Sequence, residues 1–261
     1  MRIVTWNVNG IRAAIRKGLD TFVTEINPDV LLLQEVRALE EQLPKGWVPS
    51  MPEVIWHPAE KKGYSGVSTW GKSKMVEMGR GLNTSLDHND SEGRLLHTKH
   101  PYGDTNLHCV NVYLPSGSSK EERQMFKESW MDDLLLWSKK FTDHDEPVLL
   151  CGDLNIAHTE DDIWNPSGNR FTSGFLPHER QWFTDLLNSG WHDLFRNHVG
   201  EKKGLYSWWS NRGQARAKDR GWRIDYILAN NVAKSLLSDA KILREGGLQV
   251  SDHAPVIIDL I

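Results

Sequence analysis

Residues 148–155 read Val-Leu-Leu-Cys-Gly-Asp-Leu-Asn, an apolar run that ends directly in a carboxylate and an amide. Consecutive apolar residues followed by a glycine are typical of a buried β-strand that stops at a turn. Polar side chains just beyond such a strand usually lie on loops that carry function. The stretch therefore predicts a strand that delivers Asp153 and Asn155 to a functional site.

The same arrangement recurs along the chain. Apolar runs that predict strands occupy residues 2–6, 30–33, 107–114, 148–151, 224–229 and 255–260. Five of them have polar residues within or beside them, namely Asn7 and Asn9, Glu35, Asp153 and Asn155, Asp225, and Asp252 with His253. An Asp or Asn in such a place is usually a turn former or a helix cap, but five such clusters exceed what capping alone explains.

Three helices are predicted between the strands. One ends before Pro28, because a residue that precedes proline disfavours the α conformation. A second follows Ser119, which can form a capping box with Glu122, and a third begins at Pro177 and stops at Gly190. The second carries apolar residues every three or four positions, at Phe126, Trp130, Leu134, Trp137 and Phe141. Strands mixed with helices predict a layered α/β fold, and propensity leaves one sheet or two open.

The composition is that of an ordinary globular chain. Its 261 residues are 39% hydrophobic and 25% charged, and with no repeat or linker we expect one domain, residues 1–261. Cys109 and Cys151 lie in apolar runs and predict buried thiols, with no disulfide framework or zinc cage. No apolar run approaches the ~20 residues that span a bilayer, and no signal segment precedes the first strand. We expect a monomer without a membrane partner, cytoplasmic or, in a nucleated cell, nuclear.

The residue types beside the strands include ligands for a hard cation. Glu35, Asp252 and the amide oxygens of Asn7 or Asn9 are the oxygen ligands that Mg²⁺ prefers, together with bound water.

The remaining polar residues suit acid–base chemistry. His253 with Asp225 could form a carboxylate-oriented imidazole. Asp153 could hold or deprotonate a water molecule that Asn155 orients. A metal, an acid–base pair and amide donors are what phosphodiester hydrolysis requires.

A basic stretch rich in tryptophan precedes the fifth strand. Between residues 202 and 224 the basic residues are Lys202, Lys203, Arg212, Arg216, Lys218, Arg220 and Arg223, opposed only by Asp219. Trp208, Trp209 and Trp222 are interleaved with them. Basic residues neutralise phosphates and aromatic rings stack on bases or sugars, so this patch can outweigh the net charge of -4. The alternative is a solvated loop whose tryptophans point into the core.

Taken in order, the motifs resemble those of the exonuclease III family of apurinic/apyrimidinic endonucleases. The matching stretches are residues 6–13, 33–37, 64–67, 92–94, 111–115, 152–158, 221–226 and 251–253. The resemblance as a whole covers residues 3–256. DNase I-like nucleases and inositol phosphatases share the Glu, Asp-x-Asn and Ser-Asp-His parts. The Trp-Arg-Ile-Asp-Tyr segment of residues 222–226 and the stretch that contains Asn165, Pro166, Gly174, Phe175, Glu179 and Arg180 point to the DNA-repair branch.

The resemblance implies a DNase I-like, four-layer α/β sandwich with two central mixed β-sheets flanked by helices. It also implies a class II endonuclease that uses Mg²⁺, with Mn²⁺ as a possible substitute. Its substrate would be double-stranded DNA with abasic sites or damaged 3′ ends. Incision on the 5′ side of an abasic site would leave a 3′-hydroxyl and a 5′-deoxyribose phosphate. A 3′→5′ exonuclease or 3′-end-cleaning activity would accompany it.

Roles for single residues follow from the resemblance. Glu35 would bind Mg²⁺, with Asn9 and Asp252 nearby. His253, oriented by Asp225, would contact the scissile phosphate or act as the base, and Asp153 is the other candidate base. The residues that would place the phosphate, the attacking water or the leaving group are Asn7, Asn155 and Tyr113.

Contacts to DNA are also implied. Trp208, Trp222 and Ile224 would wall a pocket for the base-less sugar, too small for an intact nucleotide. Further expected DNA contacts are Arg12, Lys17, Tyr64, Arg94, Asn165, Asn169, Arg212, Arg216 and Lys218. Surface ion pairs are the alternative for Arg12, Lys17, Tyr64 and Arg94, and simple turns for Asn165 and Asn169.

The chain departs from the family pattern in two places. Ser116 replaces a longer amide that relatives often carry, and the loop from Ser116 to Ser119 looks short. Arg212 and Gly213 stand where some relatives have an apolar wedge. These departures put insertion into the DNA stack in doubt, not hydrolysis.

Three rivals remain at this point. The nearest is an enzyme that is predominantly a 3′→5′ exonuclease or 3′-phosphodiesterase. A phosphodiesterase or phosphatase of the same fold could instead act on an inositol phosphate or a phospholipid, against which the basic, tryptophan-rich patch argues. A silent DNA-damage-binding module predicts the loss of a metal ligand or of the His–Asp pair, and all of these residues are present.

Overall fold

The computed structural model describes residues 1–84, 90–118, 120–245 and 247–261. The strands in these ranges are β1 (Arg2–Asn7), β2 (Val30–Gln34), β3 (Glu53–His57), β4 (Val67–Gly71), β5 (Val76–Arg80), β6 (Leu95–Tyr102), β7 (Thr105–Tyr113), β8 (Val148–Asp153), β9 (His192–Asp193), β10 (Trp208–Trp209), β11 (Gly221–Trp222), β12 (Asp225–Ala229), β13 (Leu237–Ile242) and β14 (Val256–Leu260). The α-helices are α1 (Ile11–Arg16), α2 (Leu19–Ile26), α3 (Glu121–Ser138), α4 (Pro166–Asn169), α5 (Pro177–Asn188), α6 (Leu194–Val199), α7 (Asn231–Ser235) and α8 (Gly247–Val250). Short 3₁₀-helices occupy Glu40–Gln42, Lys139–Phe141 and Glu160–Asp162.

Two six-stranded mixed sheets form the centre of the fold. The first has the order β13-β14-β1-β2-β4-β3 and the second the order β5-β6-β7-β8-β12-β9, while β10 and β11 form a separate small ribbon. In each sheet one central pair is parallel, β1 with β2 and β7 with β8, and the other pairs are antiparallel. The carboxyl ends of these parallel pairs meet at one edge of the sandwich.

The two sheets pack face to face, and helices cover their outer faces. Apolar side chains of alternate residues fill the space between the sheets, among them Ile3, Val30, Leu32, Leu107, Cys109, Leu149, Cys151 and Ile227. The outer face of the first sheet packs against α1 and α2, and that of the second against α3 and α5. This arrangement of four layers confirms the two-sheet fold that the family resemblance predicted.

A polar contact joins the two sheets beneath the edge where the strands end. Gln34 at the end of β2 donates to Asn111 Oδ1 on β7 at 2.7 Å and to Thr5 Oγ1 at 2.9 Å. Asn111 in turn donates to the carbonyl oxygen of Ser68 on β4 at 2.9 Å. Most buried polar groups in proteins are hydrogen-bonded, and here the N–H groups of Gln34 and Asn111 make bonds that help to set how the sheets face each other. The Oε1 atom of Gln34 has no partner within the described residues.

All six predicted strands form, with ends that differ by one or two residues. The predicted helices correspond to α2, α3 and α5; Phe141 lies in the 3₁₀-turn that follows α3. Ser119, the proposed cap of α3, lies outside the described residues, and Lys120 before that helix makes no side-chain capping bond. Cys109 and Cys151 are buried free thiols, and burial raises the pKa of both. None of the described helices combines the length and apolarity needed to cross a bilayer.

Candidate active site

A cavity of about 410 Å³ opens at the edge where the strands end. Its lining includes every predicted catalytic and metal-binding residue except Asp225, which lies behind His253. The wall residues Trp208, Trp222 and Ile224 line the same cavity. A larger cavity, of about 530 Å³, lies elsewhere beside Trp191 and Arg196 and contains none of these groups. We therefore take the smaller cavity as the candidate site.

Unusual backbone conformations aim several site residues into the cavity. Asn9, Glu35 and Asn155, each just past a strand, have φ angles of 46°, 52° and 49°. Non-glycine residues seldom adopt this left-handed conformation, and such strain tends to cluster at functional sites. Gly152, with φ of 143°, precedes Asp153, and any side chain there would sit 1.8 Å from the carbonyl oxygen of Val112.

Two carboxylates on one side of the cavity are candidates for a cation. Glu35 Oε1 accepts hydrogen bonds from the Tyr113 hydroxyl at 2.6 Å and from Arg37 Nη2 at 2.7 Å. Asp252 Oδ1 accepts from the side-chain amide of Asn9 at 2.8 Å. Burial opposes ionisation of Asp252, but neighbouring His253 and the bond from Asn9 hold the pKa of this carboxyl below its usual value. These two carboxyl groups and the nearby amide oxygen are the kind of ligands that fit a hard divalent cation.

A second cluster of possible metal ligands does not fit a cation as well. Ligand atoms of Asp153, Asp225 and His253 lie within 4.8 Å of one another. His253 Nδ1 already lies 2.9 Å from Asp225 Oδ2. A protonated imidazole has no free lone pair for a metal, and the pKa of His253 favours that form.

The imidazole of His253 is held as a cation. Burial would lower its pKa, but the charge of Asp225, the hydrogen bond between them and the charge of Asp153 raise it to about 10. Ser207 supports the pair by donating its hydroxyl to Asp225 Oδ2 at 2.6 Å. His253 therefore stands in the cavity as a donor and a positive charge.

The carboxyl group of Asp153 loses its proton less readily than an ordinary aspartate. Burial and the charge of Asp225 raise the pKa of this carboxyl to about 7, against the lowering effects of His253 and Asn7. Asn7 Nδ2 donates to Asp153 Oδ2 at 2.8 Å, and the backbone N–H of Asn155 donates to Oδ1 at 2.9 Å. A carboxylate that titrates near neutral pH beside oriented amides is suited to accept a proton.

Aromatic and aliphatic groups form the opposite wall. The rings of Trp208 and Trp222 meet edge to face at a centroid distance of 6.1 Å, and their strands β10 and β11 pair at this point. Ile224 is buried beside them, as are Ile163 and Phe175. The wall is therefore apolar and rigidly supported.

The structure places Arg94, one of the expected DNA contacts, inside the protein rather than on its surface. Arg94 is only 2% exposed, and its guanidinium donates to Glu92 at 2.6 Å, to the Tyr113 carbonyl at 2.9 Å and to the Tyr64 hydroxyl at 3.1 Å. It also lies 4.9 Å from the centroid of the Tyr113 ring. The charge of Arg94 is thus used inside the protein beneath Tyr113, because a neighbouring acid and a carbonyl satisfy it. Tyr64 is half-buried in the same network.

The other basic residues that were considered for DNA binding are either exposed or buried. Arg12, Lys17, Arg212, Arg216 and Lys218 are exposed, and Arg216 donates to the carbonyls of Leu248 and Ser251. Arg223 is buried between Asp162 and Asp193, at 2.6 and 2.7 Å, and so does not belong to the basic surface.

The two asparagines flank the single turn of α4: Asn165 precedes this helix and Asn169 is its last residue. Asn169 donates to the carbonyls of Trp164 and Asn165, and Asn165 has φ of 54°. The turn interpretation therefore accounts for much of their geometry.

Sequence reasoning missed three supporting side chains. Arg37 donates a hydrogen bond to Glu35 and lies in the motif of residues 33–37. Its positive charge two residues from a candidate metal ligand could have indicated this contact. Lys127 lies on the apolar face of α3 with Trp130 and Leu134, which signals a buried partner. For Ser207 behind Asp225 we find no signal in the sequence.

Fold and site together indicate a hydrolase of phosphate esters, because a carboxyl group with a raised pKa, an imidazolium and a candidate cation site surround one cavity. Residues 4–253 match the model of the Endonuclease/Exonuclease/phosphatase family, and the chain belongs to that family.

Individual relatives narrow the activity. An exodeoxyribonuclease of Bacillus subtilis is 37% identical over 261 residues, covering 98% of each chain. The DNA repair nuclease APEX1 of Danio rerio is 36% identical and covers 100% of this chain and 82% of its own.

Solved structures agree with these relatives. An AP endonuclease from Archaeoglobus fulgidus superposes with a TM-score of 0.86 at 25% identity, covering 100% and 99% of the two chains. A Neisseria 3′ phosphatase bound to a product DNA hairpin gives 0.85 at 27% identity, with the same coverage. The predicted family, fold and nuclease activity of the exonuclease III and AP endonuclease type are confirmed.

Proposed function

We propose that this enzyme hydrolyses the phosphodiester on the 5′ side of abasic sites in double-stranded DNA, using Mg²⁺ or, as a substitute, Mn²⁺. One observation carries the proposal: the apolar wall of Trp208, Trp222 and Ile224 shares a cavity with Asp153 and His253. A sugar without its base fits against an apolar wall where an intact nucleotide is excluded by size. We place the enzyme in the cytoplasm, or the nucleus of a nucleated cell, as a monomer.

The residues that would hold the cation are Glu35, Asp252 and Asn9. Asn9 donates its amide N–H to Asp252, which leaves its amide oxygen as the ligand atom. A bound Mg²⁺ supplies electrostatic stabilisation of the charge that develops on the phosphate. The Tyr113 hydroxyl fixes Glu35, and burial with the charge of Glu35 raises the pKa of Tyr113 so that it remains a donor.

Proton transfer is assigned to Asp153. This carboxylate accepts the proton of the attacking water, which Asn7 and Asn155 help to orient. The water oxygen forms a bond to phosphorus while the bond between phosphorus and the 3′ oxygen breaks. The leaving oxygen takes a proton from solvent, and Asp153 returns its proton to solvent. The imidazolium of His253 stabilises the phosphate charge, since a group protonated up to pH about 10 cannot serve as the base. The products are a 3′-hydroxyl and a 5′-deoxyribose phosphate.

The same cavity can accept a strand terminus, so 3′→5′ exonuclease or 3′-end-cleaning activity should accompany incision. The exposed residues Arg12, Lys17, Arg212 and Lys218 would contact the DNA backbone and add salt-dependent affinity. Asn165 and Asn169 lie on the rim where they could add phosphate contacts.

The test uses a labelled duplex with one abasic-site analogue, incubated with Mg²⁺ or with EDTA beside an undamaged duplex. Wild-type protein should incise at the lesion only with Mg²⁺, and His253→Ala and Glu35→Ala should not. Shortening of the 3′ end without incision would reassign the enzyme to end processing. Failure to cut either substrate would refute the proposal and direct attention to phosphorylated small molecules.

A further inference from the structure

A second, shallower depression adjoins the catalytic cavity. It measures about 350 Å³ and lies between the start of α3 and residues 171–176. Ser118 and Ser173 line both the depression and the cavity. Because the two spaces share these residues, the depression lies within reach of the unit next to a phosphate held in the cavity.

An aromatic ring stands in this depression with little protein around it. Phe171 is 74% exposed, although a phenyl ring left in water forgoes the stabilisation that burial would bring. The guanidinium carbon of Arg170 lies 4.4 Å from the ring centroid. Within the part of the chain that the structure describes, Arg170 forms no ion pair with a carboxylate. The ring and its cation are thus both available to a partner.

The charges around the ring suit an anionic chain. Lys120 lines the depression and is exposed, and it is partly opposed by Glu121. Arg170 adds a second positive charge beside Phe171. An aromatic face flanked by cations is the combination that binds a base together with its backbone phosphates.

We infer that this depression is a nucleotide subsite, in which the base next to the reacting phosphodiester stacks on Phe171. Lys120 and Arg170 neutralise the phosphates that flank that base. An abasic site deprives its neighbour of one stacking partner, and the Phe171 ring replaces it. The inference rests on the proposed function, since it takes damaged DNA as the substrate.

The first measurement is kcat/KM for incision of an abasic duplex by substituted proteins. Phe171→Ala should reduce it by about 5- to 150-fold, the range expected from base–aromatic stacking, whereas Phe171→Trp should retain it. Leu136→Ala is the matched control, because Leu136 is a 65% exposed apolar residue on α3 that lines neither space. Thermal unfolding should show that all three substituted proteins remain folded.

The second measurement identifies the occupant. Substrates are prepared in which the bases flanking the lesion are deleted one at a time, and binding is also measured in EDTA by fluorescence anisotropy. The Phe171→Ala defect should vanish for the one substrate that lacks the stacked base, which also gives its side of the lesion. A defect that persists on every substrate, or wild-type values for Phe171→Ala throughout, would overturn the subsite. Lack of incision by wild-type protein would instead refute the proposed function, while the anisotropy series still tests stacking.

Discussion

Lys127 on α3 donates a hydrogen bond from Nζ to the carbonyl oxygen of Asn155 at 3.0 Å. The same ammonium lies 2.6 Å from Glu179 on α5, with 1% and 0% of the two side chains exposed. Glu179 also accepts the N–H groups of Gly174 and Leu176, beside the cavity wall. Burying two charges is costly, so we infer that the role of this ion pair is to hold Asn155 in position. The pair connects α3 and α5 to Asn155 and to the loop that contains Gly174 and Leu176.

This relationship predicts how charge removal affects stability. Lys127→Met leaves Glu179 buried without its cation, and the free energy of unfolding should fall by about 3–5 kcal/mol. Adding Glu179→Gln removes the remaining charge and keeps an oxygen for the two N–H groups, so the double variant should be more stable than the single one. Urea unfolding at neutral pH measures both. A double variant less stable than Lys127→Met would contradict this account.

The same double variant should separate positioning from folding. Because Asn155 loses the bond to its carbonyl, kcat for incision should fall by on the order of tenfold while KM changes little. Wild-type kcat in the folded double variant would show that Asn155 is held by other contacts.

The catalytic cavity predicts a rate that depends on pH. Asp153 must be ionised to accept a proton, so kcat/KM should rise as pH rises through about 7 and reach a plateau. It should fall again near pH 10, where His253 loses its proton. Asp225→Asn removes the charge that raises the pKa of His253, so the upper limb should move to lower pH. An unchanged upper limb in Asp225→Asn would rule out His253 as its source.

Removal of the Arg37 side chain should increase the affinity of the protein for a divalent cation. Its guanidinium lies 2.7 Å from Glu35 Oε1 and competes there with any cation. Arg37→Gln should therefore bind Mn²⁺ more tightly in the absence of DNA, by on the order of tenfold for one nearby charge. Electron paramagnetic resonance titration measures free Mn²⁺ directly, and Arg12→Gln is the control because Arg12 is exposed. Weaker binding by Arg37→Gln would mean that Arg37 orders Glu35 rather than competing for it.

His97 predicts acid sensitivity of the fold. Burial and the neighbouring charges of His108 and Lys140 lower its pKa to about 3, against about 6.5 in an unfolded chain. Between these values only the unfolded state binds the proton, so stability decreases as pH falls from 6.5 towards 3. His97→Phe should flatten the decrease measured by urea unfolding between pH 4 and 6.5. The control His178→Phe should not, because His178 lies on the surface.

The sequence was informative where strands are uniformly apolar and end in a polar residue. β2 and β8 have this form, and β1 likewise ends in Asn7. β14 instead begins shortly after Asp252 and His253, and the site residues beside all four strands were found. β4 is equally buried, but it contains two polar residues: Thr69 faces Asn111 between the sheets, and Ser68 bonds to Trp70 on the other face. A hydrophobicity pattern therefore did not reveal this strand. β5 is mostly exposed and has no apolar period to detect.

Side-chain direction limited the rest of the prediction. Arg94 and Arg12 look alike in sequence, yet one is buried beneath Tyr113 and the other is exposed. The difference depends on Glu92 and Tyr64, whose approach to Arg94 is set by packing across two sheets. Lys127 and Glu179 form an ion pair although they are 52 residues apart in the sequence. The periodicity of one helix can show that Lys127 is buried, but it cannot identify the residue that pairs with it.

The bond between Gln34 and Asn111 has a consequence for protein engineering. Glu35 and Asn7 belong to one sheet, Tyr113 and Asp153 to the other, and this amide pair aligns the two halves from below. A chimera that takes one sheet from a relative would keep the site residues of both sheets and could still fold. It would align them only if both amides came from parents with matching side chains, so recombination between relatives should succeed or fail at a pair of residues that never meets the substrate.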